Sequence, residues 1–320
     1  MKKLQQLISI ILLSYASISL AQNYPNKPIK IYVGYGAGGA VDLVARSLAK
    51  SLTTSLNQTI IVENKPGAGA NIATKQTIES PADGYTLMLA ANALSANMAL
   101  YKPQPYNVDT DLIPISLVGH VPVVLATTVG GKYQSLKDLI VAAKSQPDLI
   151  TYGSPGNGAT PHMAVKFFEQ ASGISLKHVP YKGGPPAITD LIGGQIDLVA
   201  MNLLEVAPQV KSGKLKIIAI MSKKRSLIFP EVPTVAESGF PGFEAAVWYG
   251  IVAPIKTPET VVELLYAEIQ KSLATPDMKE RLASVGGEVT PLPRSEFINL
   301  LKSEFKRYDK LVREANIHPD

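Results

Sequence analysis

The sequence contains no cysteine, and that absence removes disulfides, thiolate catalysis, Cys-based metal sites and a lipid-carrying terminus. Histidine is almost as scarce. The four present (His120, His162, His178 and His318) stand singly, with no pair at metal-ligand spacing, so the reading includes no metal and no cofactor. The six arginines are Arg46, Arg225, Arg281, Arg294, Arg307 and Arg313, and none falls in a glycine-rich loop. A bidentate guanidinium clamp on an anion is therefore not expected in those loops. Beyond the first 21 residues no long uninterrupted apolar run occurs, so no membrane span is expected there. Charge of one sign is also sparse. The formal net charge is +5, and Lys2 and Lys3 supply two of those positive charges. Basic residues are mixed with acids, which argues against a nucleic-acid partner and is compatible with an anionic ligand.

What is present is a chain of 320 residues, 46% hydrophobic and 18% charged, long enough for two lobes and apolar enough to fill their cores. Its start reads as an export signal. Lys2 and Lys3 form a basic n-region, Leu7 to Leu13 an apolar h-region, and Ser19-Leu20-Ala21 a small-x-small cleavage site. Residues 1–21 are thus expected to be removed, leaving a product outside the cytoplasm, in the periplasm.

The mature chain alternates strand and helix signals. Ile29–Gly34 is an apolar β-rich run that ends in a glycine loop, and Val41–Leu56 has helical apolar spacing. Thr59–Val62 and Tyr85–Ala91 are further strands with a helix between them, a βαβαβ order that implies a parallel sheet covered by helices. The order repeats: Val123–Thr128, Ile150–Gly153, Leu176–Val179, Ile196–Ala200 and Leu215–Met221 read as strands. Helices are expected over Ser135–Ser145, Pro161–Ala171 and Pro185–Ile192. The C-terminal part reads as helical, with Thr257, Thr275 and Ser295 as N-caps. A chain that completes one lobe, builds a second and returns needs two crossovers, expected near Val118–Pro122 and Ser222–Pro233. The division is 22–120 with 224–320 for one lobe and 121–223 for the other.

Two glycine loops carry the chemistry. Gly34-Tyr35-Gly36-Ala37-Gly38-Gly39 matches G-x-G-x-x-G between a strand and a helix, and Glu63 ends the next strand. Glycines there let backbone N–H groups converge at a helix N-terminus, where an anion is favoured, be it a pyrophosphate or a carboxylate. A bare tight turn is the plainer alternative. Ser154-Pro-Gly-Asn-Gly-Ala-Thr-Pro-His162 is the matching loop of the second lobe, with the Asn157 amide and the Thr160 hydroxyl at the start of a helix. Thr160 is expected as that helix's cap, and His162 as a packing or hydrogen-bonding residue. Asp197 either meets a ligand ammonium or hydroxyl or holds a turn. Trp248, the one tryptophan, is a core residue or a cleft wall near the hinge.

An ordered series of segments then resembles one family. Among them are Val62-Glu-Asn-Lys-Pro-Gly-Ala-Gly69, Ala82-Asp-Gly-Tyr-Thr-Leu87, His178-Val-Pro-Tyr-Lys-Gly183, Asp190-Leu-Ile-Gly-Gly-Gln-Ile-Asp197 and Glu231-Val-Pro-Thr-Val-Ala-Glu237. Over essentially the whole mature chain the sequence resembles the substrate-binding receptors of tripartite tricarboxylate transporters. The resemblance implies a two-lobed, type II periplasmic-binding-protein fold of Venus-flytrap form, each lobe a mainly parallel sheet flanked by helices. It implies a monomer that catalyses nothing, binds a small organic acid and works with membrane transporter subunits. A sensor partner presenting the acid to a signalling receptor is the alternative, and a secreted enzyme built on the first glycine loop a remoter one. The implied binding residues are Tyr35, Gly36, Ala37, Gly38, Gly39 and Asp42 of the first loop and Gly156, Asn157, Gly158, Ala159 and Thr160 of the second. Asn92, Ser95, Asp197, Asn202 and Trp248 complete the expected cleft lining. The chain departs from the family at Ala40, Val41 and Ala159, where hydroxyls or glycine are usual, which favours a less polar acid over a tricarboxylate.

Overall fold

A computed structural model describes residues 24–283, 286–314 and 317–318. The expected leader, residues 1–21, lies outside them. The first βαβαβ unit is β1 (Ile29–Val33), α1 (Ala40–Leu56), β2 (Ile60–Asn64), α2 (Asn71–Ile78) and β3 (Thr86–Ala91). Both β2 and β3 run parallel to β1. Helix α1 buries Val41, Val44, Ala45, Leu48 and Leu52, the i, i+3, i+4 stripe legible in its sequence. All six residues of β3 are buried, as expected for a strand covered on both faces. Two short helices, α3 (Ala93–Leu100) and α4 (Val108–Asp111), then lead into β4 (Leu112–Thr128).

Strand β4 is the largest departure from the expected element order. A six-residue strand was anticipated at 123–128, but the strand runs unbroken for 17 residues. Prolines at 114 and 122 break the apolar pattern without breaking the strand. The register against its neighbour shifts between Pro114 and Ser116, so the first proline sits beside a bulge. Up to Pro122, β4 pairs with β9 (Ala246–Pro254). From Val123 onward it pairs with β7 (Leu198–Asn202) and β8 (Leu215–Ile220). One strand therefore belongs to two sheets.

The second unit comprises α5 (Leu136–Ser145), β5 (Thr151–Ser154), α6 (Thr160–Ser172), β6 (Lys177–Pro180) and α7 (Gly184–Ile192), followed by β7, α8 (Leu203–Lys211) and β8. Strands β5, β6 and β7 are mutually parallel, and the crossing strands are antiparallel to their neighbours. Helix α8 was not expected, because its Pro208 and the short interval between two strands hide its period. After β8 the chain runs irregularly from 221 to 245, still bonded to the second sheet through Val235 N–H to Ile220 O and Met221 N–H to Val123 O. It then enters β9, which lies antiparallel between β3 and β4. Helices α9 (Glu259–Ala274), α10 (Pro276–Ala283) and α11 (Arg294–Glu314) close the chain, with the short strand β10 (Glu288–Val289) between the last two.

Expected caps are partly displaced. Ser135 and Thr275 accept N–H groups from Asp138 and Met278, as cap residues do. Thr257 instead donates to Pro254 O in a turn, and α9 starts one residue later than expected. Ser295 lies inside α11 rather than before it. Among the described residues no helix is long and apolar enough to cross a membrane.

Candidate functional site

Strands β1, β5 and β6 each end in a loop that opens a helix, and β7 runs straight into α8, all at the end where open α/β sheets place their ligand crevices. The two sets of loops face each other. Gly36 N–H of the first glycine loop donates to Lys182 O of the loop before α7, at 3.3 Å. A Cβ on Gly158 would overlap Asn97 Oδ1 of α3, and one on Gly69 would overlap Asn157 O. Glycine at these points lets the two halves touch backbone to backbone. Between them lies a cavity lined by Tyr35, Gly39, Ala40 and Val41 from one half and by Pro155, Ala159, Thr160, Gly183, Gly184, Asn202 and Glu205 from the other. Val247 and Tyr249 of β9 form its back wall. Its free space is about 20 Å³, on the scale of one water molecule, so the halves are closed on each other.

Most glycine-loop N–H groups are already engaged by the chain. Gly38 N–H donates to Asp42 Oδ2 at 2.9 Å and Gly39 N–H to Gly36 O at 3.3 Å. Asp42 is buried and also takes Arg46 and Asn64, which hold its carboxyl below the usual carboxylate range. It braces the loop from behind rather than facing the cavity. In the second loop Gly156 N–H donates to Ser154 Oγ and Gly158 N–H to His162 Nδ1, at 3.2 and 3.1 Å. Thr160 is not the cap of α6. That position falls on Ala159, which makes no side-chain cap bond, and His162 reaches back in its place. The His162 ring stacks on His178 at 4.1 Å, and burial, then His178 and Lys166, push its pKa well below 6.5.

Four expected cleft residues serve elsewhere. Asp197 sits at the opposite end of β7 from Asn202, accepting from Thr151 N–H and Oγ1 at 3.0 and 2.9 Å and pairing with Lys132. It ties two strand starts together. Trp248 alternates with Val247 and Tyr249 along β9, so its side chain leaves the cleft face and meets Phe297 edge-on at 5.5 Å. Asn92 accepts Trp248 N–H and donates to Glu304 Oε2, while Ser95 donates to Leu301 O. Both secure α11, and Asn92 also secures β9. Of the expected set, Tyr35, Gly39, Ala159, Thr160 and Asn202 line the cavity. Gly36, Asn157 and Gly158 make the contacts between halves, and Gly156 lies close to Tyr181 O.

The residue that the sequence did not reveal is Glu205, in the first turn of α8. Asn202 Nδ2 donates to its Oε2 at 2.8 Å, and the backbone N–H groups of Asn202, Ala40 and Gly184 also act on its carboxylate. Ala40 and Gly184 are the first residues of α1 and α7. Three helix N-termini thus converge on one side chain. Burial raises its pKa, and these donors oppose the rise. The only signal was Asn202-x-x-Glu205, a capping-box spacing hidden by the missed helix.

Known proteins match this arrangement. The profile described as "Tripartite tricarboxylate transporter family receptor" matches residues 44–317. Protein BugT of Bordetella pertussis is 36% identical over 297 residues, 92% of this chain and 91% of that one. The solved periplasmic binding protein BugD superposes with a TM-score of 0.88 at 36% identity, covering 93% of this chain and all of the other. R. palustris Rpa4515, solved with adipate, superposes with a TM-score of 0.89 at 29% identity, again over 93% of this chain. The fold is that of the periplasmic binding proteins.

Proposed function

The chain belongs to the tripartite tricarboxylate transporter receptor family, and from that membership we propose that it is a periplasmic receptor that closes on a small organic acid and delivers it to a membrane transporter. The observation that carries the reading is the cavity itself, walled by loops from two halves that are joined by crossing strands and already in direct contact. A space on the scale of one water admits no organic acid, so entry requires the halves to part and capture requires them to close again. The adipate held by Rpa4515 supports a carboxylate as the class of ligand.

Binding without catalysis fits the side chains present. The first glycine loop resembles a nucleotide fingerprint, but Glu63, in the place of a ribose-binding acid, pairs with Lys30 and Lys65. Ser154 and His178 lie 2.6 Å apart, yet Ser154 is wholly buried and its hydroxyl accepts Gly156 N–H at 3.2 Å, as a residue bracing the loop does. We place the lobe boundary on β4 between Pro122 and Val123 and the return at Ala245–Ala246, since residues 221–245 stay bonded to the second sheet. A thermal-shift screen of mono- and dicarboxylic acids against the mature protein tests the reading, with stabilisation by at least one acid expected. A screen in which no acid raises the unfolding temperature would defeat it. Intact mass of the exported protein checks the export step, with cleavage after Ala21 expected.

A further inference from the structure

Within the receptor reading, on which this rests, the floor of the cleft carries its own anion. Capping alone accounts for the Asn202–Glu205 contact, but not for the approach of Ala40 and Gly184, which begin two other helices. A Cβ on Gly184 would overlap Glu205 Oε1, so the carboxylate lies directly against that helix start. The positive ends that would attract a ligand carboxylate are therefore already matched by one. Around it the cavity wall offers acceptors. Asn202 is nearly fully buried (5% exposed), lines the cavity, and its Oδ1 has no hydrogen-bond partner among the described residues. The hydroxyl of Tyr249, fully buried on the back wall, is likewise without a partner among them.

We propose that Glu205 makes this receptor selective for an acid whose far end is a nitrogen donor, an ammonium or a carboxamide, and sets it against dicarboxylates. An N–H group entering between Glu205 and Asn202 Oδ1 meets two acceptors and satisfies a buried one. A second carboxylate there meets a like charge in a closed cleft, supplies no proton to Asn202 Oδ1, and must displace Glu205 from its donors. The discrimination is of the repulsive kind: the pocket rejects one ligand class by placing a charge where that class would put its own.

The test is calorimetric titration of the mature full chain with matched acids of four, five and six carbons, each as the dicarboxylate, its monoamide and its ω-amino acid. In the native protein the amide or amino form should bind about tenfold or more tighter than the dicarboxylate of equal length. Glu205→Gln removes the charge and keeps the size, and should raise dicarboxylate affinity by about tenfold or more. A dicarboxylate that equals or exceeds both counterparts in the native protein overturns the inference and leaves the receptor reading intact. So does unchanged dicarboxylate affinity in Glu205→Gln. If no acid of any form binds native protein or variant, the receptor reading itself falls and the inference with it. The native arm decides even if the variant does not fold.

Discussion

At the scale of single residues the two glycine loops make a controlled comparison possible. Gly38 and Gly158 both have positive φ, +78° and +72°, so alanine at either costs about 1–2 kcal/mol in backbone strain. They differ in what a Cβ would meet. At Gly38 the nearest atom is Pro185 Cγ at 3.8 Å, ordinary contact, whereas at Gly158 it is Asn97 Oδ1 across the cleft, in overlap. Asn97 cannot simply swing away, since its Nδ2 is held by Gly69 O and Asn71 Oδ1 at 2.7 and 2.8 Å. Gly158→Ala should therefore weaken ligand binding well beyond Gly38→Ala, at similar losses of stability, as calorimetry and denaturant melts would read. Equal effects on binding would remove the cross-cleft contact from the mechanism. His162 gives a second expectation. Its folded pKa lies below its unfolded one, so its contribution to stability is present above about pH 6.5 and is lost as pH falls below that value. Protonation would also spend Nδ1, the acceptor for Gly158 N–H. Buried Glu169 and Glu205, with raised pKa values, act in the opposite direction in acid, so the native melt alone does not isolate the histidine. The difference in unfolding temperature between pH 7.5 and 5 should shrink in His162→Asn. A difference unchanged by the substitution would place the acid sensitivity elsewhere.

At the scale of elements, legibility followed the physics of each segment. Helix α1 and strands β1 and β3 were readable because burial on one stripe, on one face or on both faces writes a helical period, an alternation or an apolar run into the sequence. The long β4 was not, since Pro114 and Pro122 look like breaks, and only the sheet around them shows that they lie at a bulge and at the change of partner. Helix α8 was hidden by its brevity and by Pro208, and with it went Glu205. The candidate site was half legible. Glycine loops announce where backbones approach, but not which acceptor has taken the N–H groups. Trp248 shows the limit: core and cleft wall both stood open for it, because the phase of a strand buried on both sides cannot be told from an all-apolar run. The face it takes is held by α11. The Phe297 ring lies on Gly250, where any Cβ would strike it, and edge-on to Trp248. Phe297→Ala should cost about 3–5 kcal/mol of stability. It should also shift Trp248 emission to the red as the indole gains solvent. A denaturation midpoint equal to the native one would mean that α11 does not hold this face.

At the scale of the whole molecule, two strands carry the chain between halves, and nothing else in the sheet continues across. Beyond Pro122, β4 changes partner from β9 to β7 and β8, and β9 begins at Ala246, opposite Pro122. A rotation confined to Pro122–Val123 and Ala245–Ala246 would part the cleft loops and leave both sheets paired. The contacts it would break include Gly36 to Lys182, Gly158 to Asn97, Gly69 to Asn157 and Glu205 to Ala40, together with the apolar packing of Met163 and Phe167 of α6 against Tyr308 and Leu311 of α11. Water can replace the polar ones on opening, whereas the apolar packing between α6 and α11 favours the closed form. A ligand that bridges both walls adds its differential affinity to that advantage and shifts the population. Trp248 belongs wholly to the first half, packed between Asn92 and Phe297. Its emission should therefore stay nearly constant while the lobes move, and the shape of the molecule should carry the signal. Small-angle scattering of the mature protein should give a larger radius of gyration without a bound acid than with one, and Gly158→Ala should stay nearer the larger value at the same acid concentration. Equal radii for free and saturated protein would mean that the halves do not part, and that the acid binds somewhere other than between them.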